Sequence, residues 1–146
     1  MADSRAGNVL LSEPWTSRKI SRPASGAIQV GRFVTFAAGS SQVTIRGASN
    51  NANIPVMIAD KDESFGGPST DEAYAAGQMV HVQLPNSGAE VEVEVEDGTS
   101  IADGADVSVG AGGYAVTQSG SNPVVGKALR AVSASGSDEK IEVLIK

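Results

Sequence analysis

Carboxylates in a regular array are the first residues of this chain that could do chemistry. Glu90, Glu92, Glu94 and Glu96 alternate with Val91, Val93 and Val95 in "EVEVEVEDG", and an Asp-Gly pair then ends the pattern. Paired carboxylates can serve as acid and base, and converging ones can hold a divalent cation. Alternation at period two argues instead for a strand with valines on one face and glutamates on the other. Same-face neighbours then lie about 7 Å apart, two rises of about 3.4 Å. A flat row at that spacing does not converge on an ion, and nothing singles out one glutamate for a raised pKa. The four glutamates are therefore expected as a solvent-facing acidic strand. The alternative is an acidic docking strip for a basic partner segment.

The other chemical candidates are weaker. In "DKDESFGGPSTD", Asp60, Asp62, Ser64 and Asp71 fall on the first, third, fifth and twelfth positions of a calcium loop. The sixth position needs glycine for a sharp turn and holds Phe65, and Pro68 stands at the ninth. An exposed acidic loop is the expectation there. His81 is the sole histidine, placed mid-strand in "MVHVQL", with no "GxSxG" elbow anywhere to supply a nucleophile. The "GAGG" at Gly110–Gly113 lacks the Lys and Ser/Thr of a phosphate loop and reads as a hairpin turn. These residues assemble no catalytic set. The expectation is no enzyme, no catalytic residue, no metal and no cofactor.

The elements that would position such residues are short strands. Val, Ile and Ala dominate "AIQVGRFVTFA", "QVTIR", "IPVMIAD", "DVSVG", "YAVTQ", "VVGKALRAV" and "KIEVLIK". Gly31 suggests a bulge or bend within the first of these. Separators such as "NSG", "DGTS", "GAGG" and "SASGSD" recur at the spacing of an all-β domain. With 4% aromatic residues, the core must be mostly Val, Ile, Leu and Ala. One stretch, "STDEAYAAGQ", favours a helical turn or two, with Ser69 or Thr70 as cap and Gly77 as stop. The fold class read from these patterns is all-β: a small β-barrel or sandwich of short strands with at most one short helix.

Domain organisation follows from texture. Residues 1–26 show no periodicity, carry two prolines and Trp15, and are expected as an extended N-terminal arm; residues 27–146 form the β-domain. A lone tryptophan in an arm suggests docking on a partner or on the body, so Pro14, Trp15, Arg18, Lys19 and Arg22 are the candidate contacts of the arm to a partner or neighbouring subunit.

Charge is segregated. The chain of 146 residues has a net charge of −6, yet residues 1–26 sum to +2. From Gly47 to Gly126 the sole base is Lys61, against twelve acids. Such a body repels a phosphate backbone, so no nucleic acid partner is expected. The chain has no cysteine and no apolar run of membrane-spanning length, so no disulfide and no membrane partner are expected. Its start lacks a signal-peptide core, so the expectation is a soluble, unprocessed chain that is intracellular at synthesis.

The order of elements in the C-terminal half resembles the head decoration, or capsid cement, proteins of tailed phages. The matching pieces are Ala76–Gly77 entering a strand, the acidic middle, Gly104–Val107, the hairpin Gly110–Gly113, "VGKAL" (Val125–Leu129) and the terminal "IEVLI" (Ile141–Ile145). The resemblance covers about half the chain and rests on texture and order. It implies a structural virion protein, a homotrimer on the outer surface of an icosahedral capsid, bound to the major capsid protein and stabilising the shell, with no enzymatic activity. A carbohydrate-binding or host-adhesion β-module on a virion surface is the alternative. Its usual requirement is an exposed aromatic platform, for which the body offers Phe33, Phe36, Phe65, Tyr74 and Tyr114.

Overall fold

Short segments rich in β-branched residues favour strands, and the computed structural model has fifteen short strands among the described residues, 10–12, 18–49, 53–61 and 73–146. In chain order they are β1 (Leu10–Ser12), β2 (Arg18–Pro23), β3 (Ile28–Gln29), β4 (Val34–Phe36), β5 (Val43–Ile45), β6 (Ile58–Asp60), β7 (Ala73–Tyr74) and β8 (Met79–Leu84). Then follow β9 (Glu90–Val95), β10 (Ser100–Ile101), β11 (Asp106–Val109), β12 (Ala115–Thr117), β13 (Gly126–Ala128), β14 (Val132–Ser133) and β15 (Glu139–Ile145). Among the described residues, the helical content is a single 3₁₀ turn at Ala111–Gly113.

The largest sheet has the order β1-β9-β15-β13-β11-β12, all antiparallel. Its inner face is aliphatic by register: Val93 lies opposite Ile141, Val91 opposite Val143, and Gly126 opposite Ile145. A second sheet, β2-β8-β6, buries Val80, Val82 and Ala59. Two isolated bridges, Phe33 with Ile58 and Ala24 with Val43, tie it to the β4–β5 hairpin. Both layers share one hydrophobic cluster. Each fully buried valine or isoleucine in it contributes roughly 1.5–3 kcal/mol relative to exposure. The fold is all-β and sandwich-like, and among the described residues no sheet closes into a barrel.

Three expectations need correction. Leucine is missing from the buried set of the described residues; Leu129 and Leu144 are exposed, and valine and isoleucine fill the core with Phe33 and Tyr74 as its large rings. The helical turn expected across Ser69–Gln78 is replaced, where described, by strand β7 against Ile28–Gln29. The reason is Tyr74: its ring is fully buried, and its hydroxyl donates to the Asp60 carbonyl at 2.7 Å. An aromatic side chain anchored in the core outweighs weak local helix propensity. Ser69–Glu72 lie outside the described residues. Finally, Arg18–Pro23, within the segment expected as an arm, is hydrogen-bonded along its length to β8, from Arg18 opposite Leu84 to Pro23 opposite Met79.

Candidate functional site

The acidic strand β9 has its valines buried at 0% exposure and its glutamates on the opposite face. Glu96 is exposed, and Glu90 and Glu92 are half-buried beside Leu144 and Glu142 of β15. Glu94 departs from the solvent-facing row. Its side chain keeps 14% of its exposure and lies against Gly31, where a Cβ would sit 3.1 Å from Glu94 Cγ. Gly31 has φ of +90°, and its carbonyl accepts from the Glu94 amide at 3.0 Å. A residue without a side chain is needed at this bend, because the backbone turns left-handed while the strand approaches closely.

That bend delivers Arg32, which the sequence reading did not single out. Arg32 Nε donates to Glu94 Oε1 at 3.2 Å and Nη1 to the Gly112 carbonyl at 3.0 Å. Nη2 donates to Gln29 Oε1 and to the Tyr114 hydroxyl, and lies 3.6 Å from Asp138 Oδ2. The guanidinium also stacks 3.6 Å from the Tyr114 ring centroid. Tyr114 in turn donates to Asp138 Oδ2 at 2.8 Å, while Asp138 Oδ1 accepts from the Asp97 amide. Four segments far apart in sequence thus meet on one cation. The available signal was an arginine set between glycine and phenylalanine in an apolar strand pattern, since a buried guanidinium requires partners.

The chemistry of this cluster is that of a lock. Burial raises the Glu94 carboxyl despite the opposing pull of Arg32. Burial, then the hydrogen bond to Asp138, pushes the Tyr114 phenol up to about 12, so it stays a donor. Arg32 is committed to acceptors on all three nitrogens. A general acid or base needs a group facing substrate, and here each group faces another.

Two further polar features stand apart. Arg46 is 3% exposed, and its Nε and Nη1 have no acceptor among the described residues. Burial alone depresses its pKa. The second is Asp60, the first residue of the sequence's calcium-like loop: it is buried, and it accepts from Gln83 Nε2 and from the Lys61 amide, both at 2.8 Å. Asp62, Ser64, Phe65, Pro68 and Asp71 lie outside the described residues. Among those described, no group of three acidic, histidine or cysteine side chains is placed to hold a metal. Among the described residues, no helix is long and apolar enough to cross a membrane. His81 sits mid-strand between Ser21 and Asp60, and Gly110–Gly113 connects β11 to β12 as a hairpin turn.

The basic candidates divide. Pro14 and Trp15 lie outside the described residues. Arg18, Lys19 and Arg22 are exposed on β2, at the margin of its sheet, without a carboxylate partner among the described residues. Of the candidate aromatic platform, Phe33 and Tyr74 are buried and Tyr114 is covered by Arg32; Phe36 alone among the described rings is substantially open, at 42%. An open groove of about 360 Å³ lies at the C-terminal edge, lined by Val124, Gly126, Lys127, Leu144 and Lys146.

No family model matches this chain. No curated protein matches it either. Among solved structures, the crystal structure of the head fiber gp8.5 N base in bacteriophage phi29 is similar. Its TM-score is 0.54 at 14% sequence identity, over 90% of this chain and 95% of that one. At that identity the likeness is one of fold.

Proposed function

We propose that this chain is a structural virion protein that binds the outer surface of an icosahedral phage capsid and reinforces the shell. Its partner is the major capsid protein, and it acts as a homotrimer. The observation that carries the reading is the fold likeness to a phage head fiber base, which extends over nearly the full length of both chains. Two features support it. The best-developed polar cluster, around Arg32, has its groups spent on internal contacts. The exposed cations of the N-terminal region, Arg18, Lys19 and Arg22, sit on a strand paired with β8 in an otherwise acidic protein and carry the grip together with Pro14 and Trp15.

A protein that binds the assembled shell but not its separated subunits stabilises the shell by mass action. The test is heat challenge of particles with and without this protein, scored by DNA release. A higher release temperature at full occupancy is expected. Equal thresholds reject reinforcement, and absence of the protein from the particle surface rejects the virion reading altogether.

A further inference from the structure

We propose that the outer edge of β2 is a docking strip that accepts an extended, acidic, proline-free segment of a capsid subunit as an added β-strand. The proposal rests on the virion reading above and supplies the chemistry of attachment.

The backbone parity of β2 can be read from its neighbours. The His81 amide turns toward β6, donating to the Tyr74 hydroxyl at 3.3 Å, and that hydroxyl donates to the Asp60 carbonyl. In an antiparallel ladder the hydrogen-bonding groups of successive residues alternate between the two sides. Val80 and Val82 therefore turn toward β2, where they face Arg22 and Ile20. The next residues of the chain agree. Ala24 exchanges its amide and carbonyl with Gln78 and Gly77, on the β8 side. Ser25 sends its amide the other way, to the Val43 carbonyl at 2.9 Å. By the same alternation, Lys19 and Ser21 direct their amides and carbonyls away from β8, to the open edge of the sheet.

Among the described residues, the side-chain partner on that edge is the chain's own. Arg22 Nη1 donates to the Ser21 carbonyl at 2.8 Å. Pro23 offers no amide and so ends the strip. A row of unpaired strand groups is a template for another chain, and proteins commonly blunt such edges with charge. Here the charge is selective: Arg18, Lys19 and Arg22 are exposed cations on a chain of net charge −6. They repel a basic strand and favour one with carboxylates at alternate positions, the added-strand mode of recognition. On docking, Arg22 exchanges the Ser21 carbonyl for a partner carboxylate, and Ser21 takes up the incoming amide.

The full-length chain is titrated with a synthetic octapeptide of alternating Glu and Val, and with its Lys/Val counterpart, while amide exchange is followed by NMR. Slowed exchange is expected at Lys19 and Ser21 with the acidic peptide alone, and weaker binding in about 1 M salt, where the screening length is about 3 Å. Ser21→Pro removes one outward amide and leaves the β8 ladder intact, so an unchanged thermal midpoint is expected. Loss of one net hydrogen bond then weakens the acidic peptide about three- to tenfold. The double variant R18E/K19E, which keeps the edge, is expected to reverse the preference toward the Lys/Val peptide. Unchanged exchange at Lys19 and Ser21 in millimolar acidic peptide overturns the proposal, as does full-strength binding by Ser21→Pro. Particle binding separates the two readings. If Ser21→Pro decorates particles as well as the wild type, strand addition falls and the virion reading stands. If the wild type does not decorate particles, the virion reading falls and the peptide titration still decides the edge.

Discussion

Arg32 joins residues 29, 94, 112, 114 and 138 through one guanidinium, so its removal strands several groups at once. Arg32→Met leaves Glu94, 14% exposed, without its cation; about 3 kcal/mol of stability is expected to go, read from urea midpoints. The pH profile carries a separate signature. Burial raises the Glu94 pKa, so the folded chain holds that proton more tightly than the unfolded one. Its contribution is full below the ordinary glutamate value of about 4.3 and is lost as pH rises through the raised folded value. Glu94→Gln is expected to flatten that part of the profile, measured as thermal midpoints on both sides of it. Tyr114 obeys the same sign at the other end of the scale. Its contribution is full below the ordinary phenol value of about 10 and is lost as pH rises through about 12. Arg46 points the opposite way to Arg32, because its Nε and Nη1 are buried without acceptors among the described residues. Arg46→Met exchanges an uncompensated charge for an apolar stem and is expected to raise stability by about 1–3 kcal/mol. A lower melting temperature for Arg46→Met would show that its charge is compensated in the folded protein.

At the scale of elements, strand spacing is set by glycines with different duties. A Cβ on Gly126 would lie 2.3 Å from the Leu144 carbonyl and 2.7 Å from Val143 Cγ1, so β13 and β15 would have to separate. Gly126→Ala is expected to cost about 3 kcal/mol, as overpacking against backbone does. Gly136, with φ of +88° and nothing within 4 Å, meets open space, so Gly136→Ala is expected to cost about 1–2 kcal/mol from left-handed backbone alone. Comparing the two denaturation midpoints checks this ordering. The same scale shows what the sequence made legible. Strand β9 was readable because one face is buried and the other is not, which writes period two directly into Glu90–Val95. The hairpin at Gly110–Gly113 was readable because left-handed positions demand glycine. Strand β2 was not readable as part of a sheet. It buries no complete face, so Arg18–Pro23 shows no alternation, and its partner β8 lies about sixty residues on. The Arg32 cluster was hidden for a related reason: its partners at 94, 114 and 138 carry no local pattern that points to residue 32.

For the whole molecule, the segregation of charge decides how attachment can work. The cations at Arg18, Lys19 and Arg22 occupy one sheet margin, while the body between Gly47 and Gly126 sets twelve acids against Lys61. In the proposed role, this arrangement would turn a small basic margin to the shell and an acidic surface, with Glu96 at its exposed end, to the medium. Neighbouring particles then repel one another, which keeps them dispersed. A margin of three cations is a weak grip when used once, because exposed ion pairs contribute about 0–1 kcal/mol each. Three copies bound together convert the second and third contacts into intramolecular events, and linkage of this kind can raise avidity by about 10²–10⁴. The proposed threefold assembly would supply what a single contact lacks. Particle imaging across a titration of the protein is the measurement. Density is expected to appear as complete trimers even at low occupancy, with steep loss of bound protein as salt screens the cationic margin. Single copies scattered over the shell, or occupancy indifferent to salt, would separate this protein's attachment from both its symmetry and its charge.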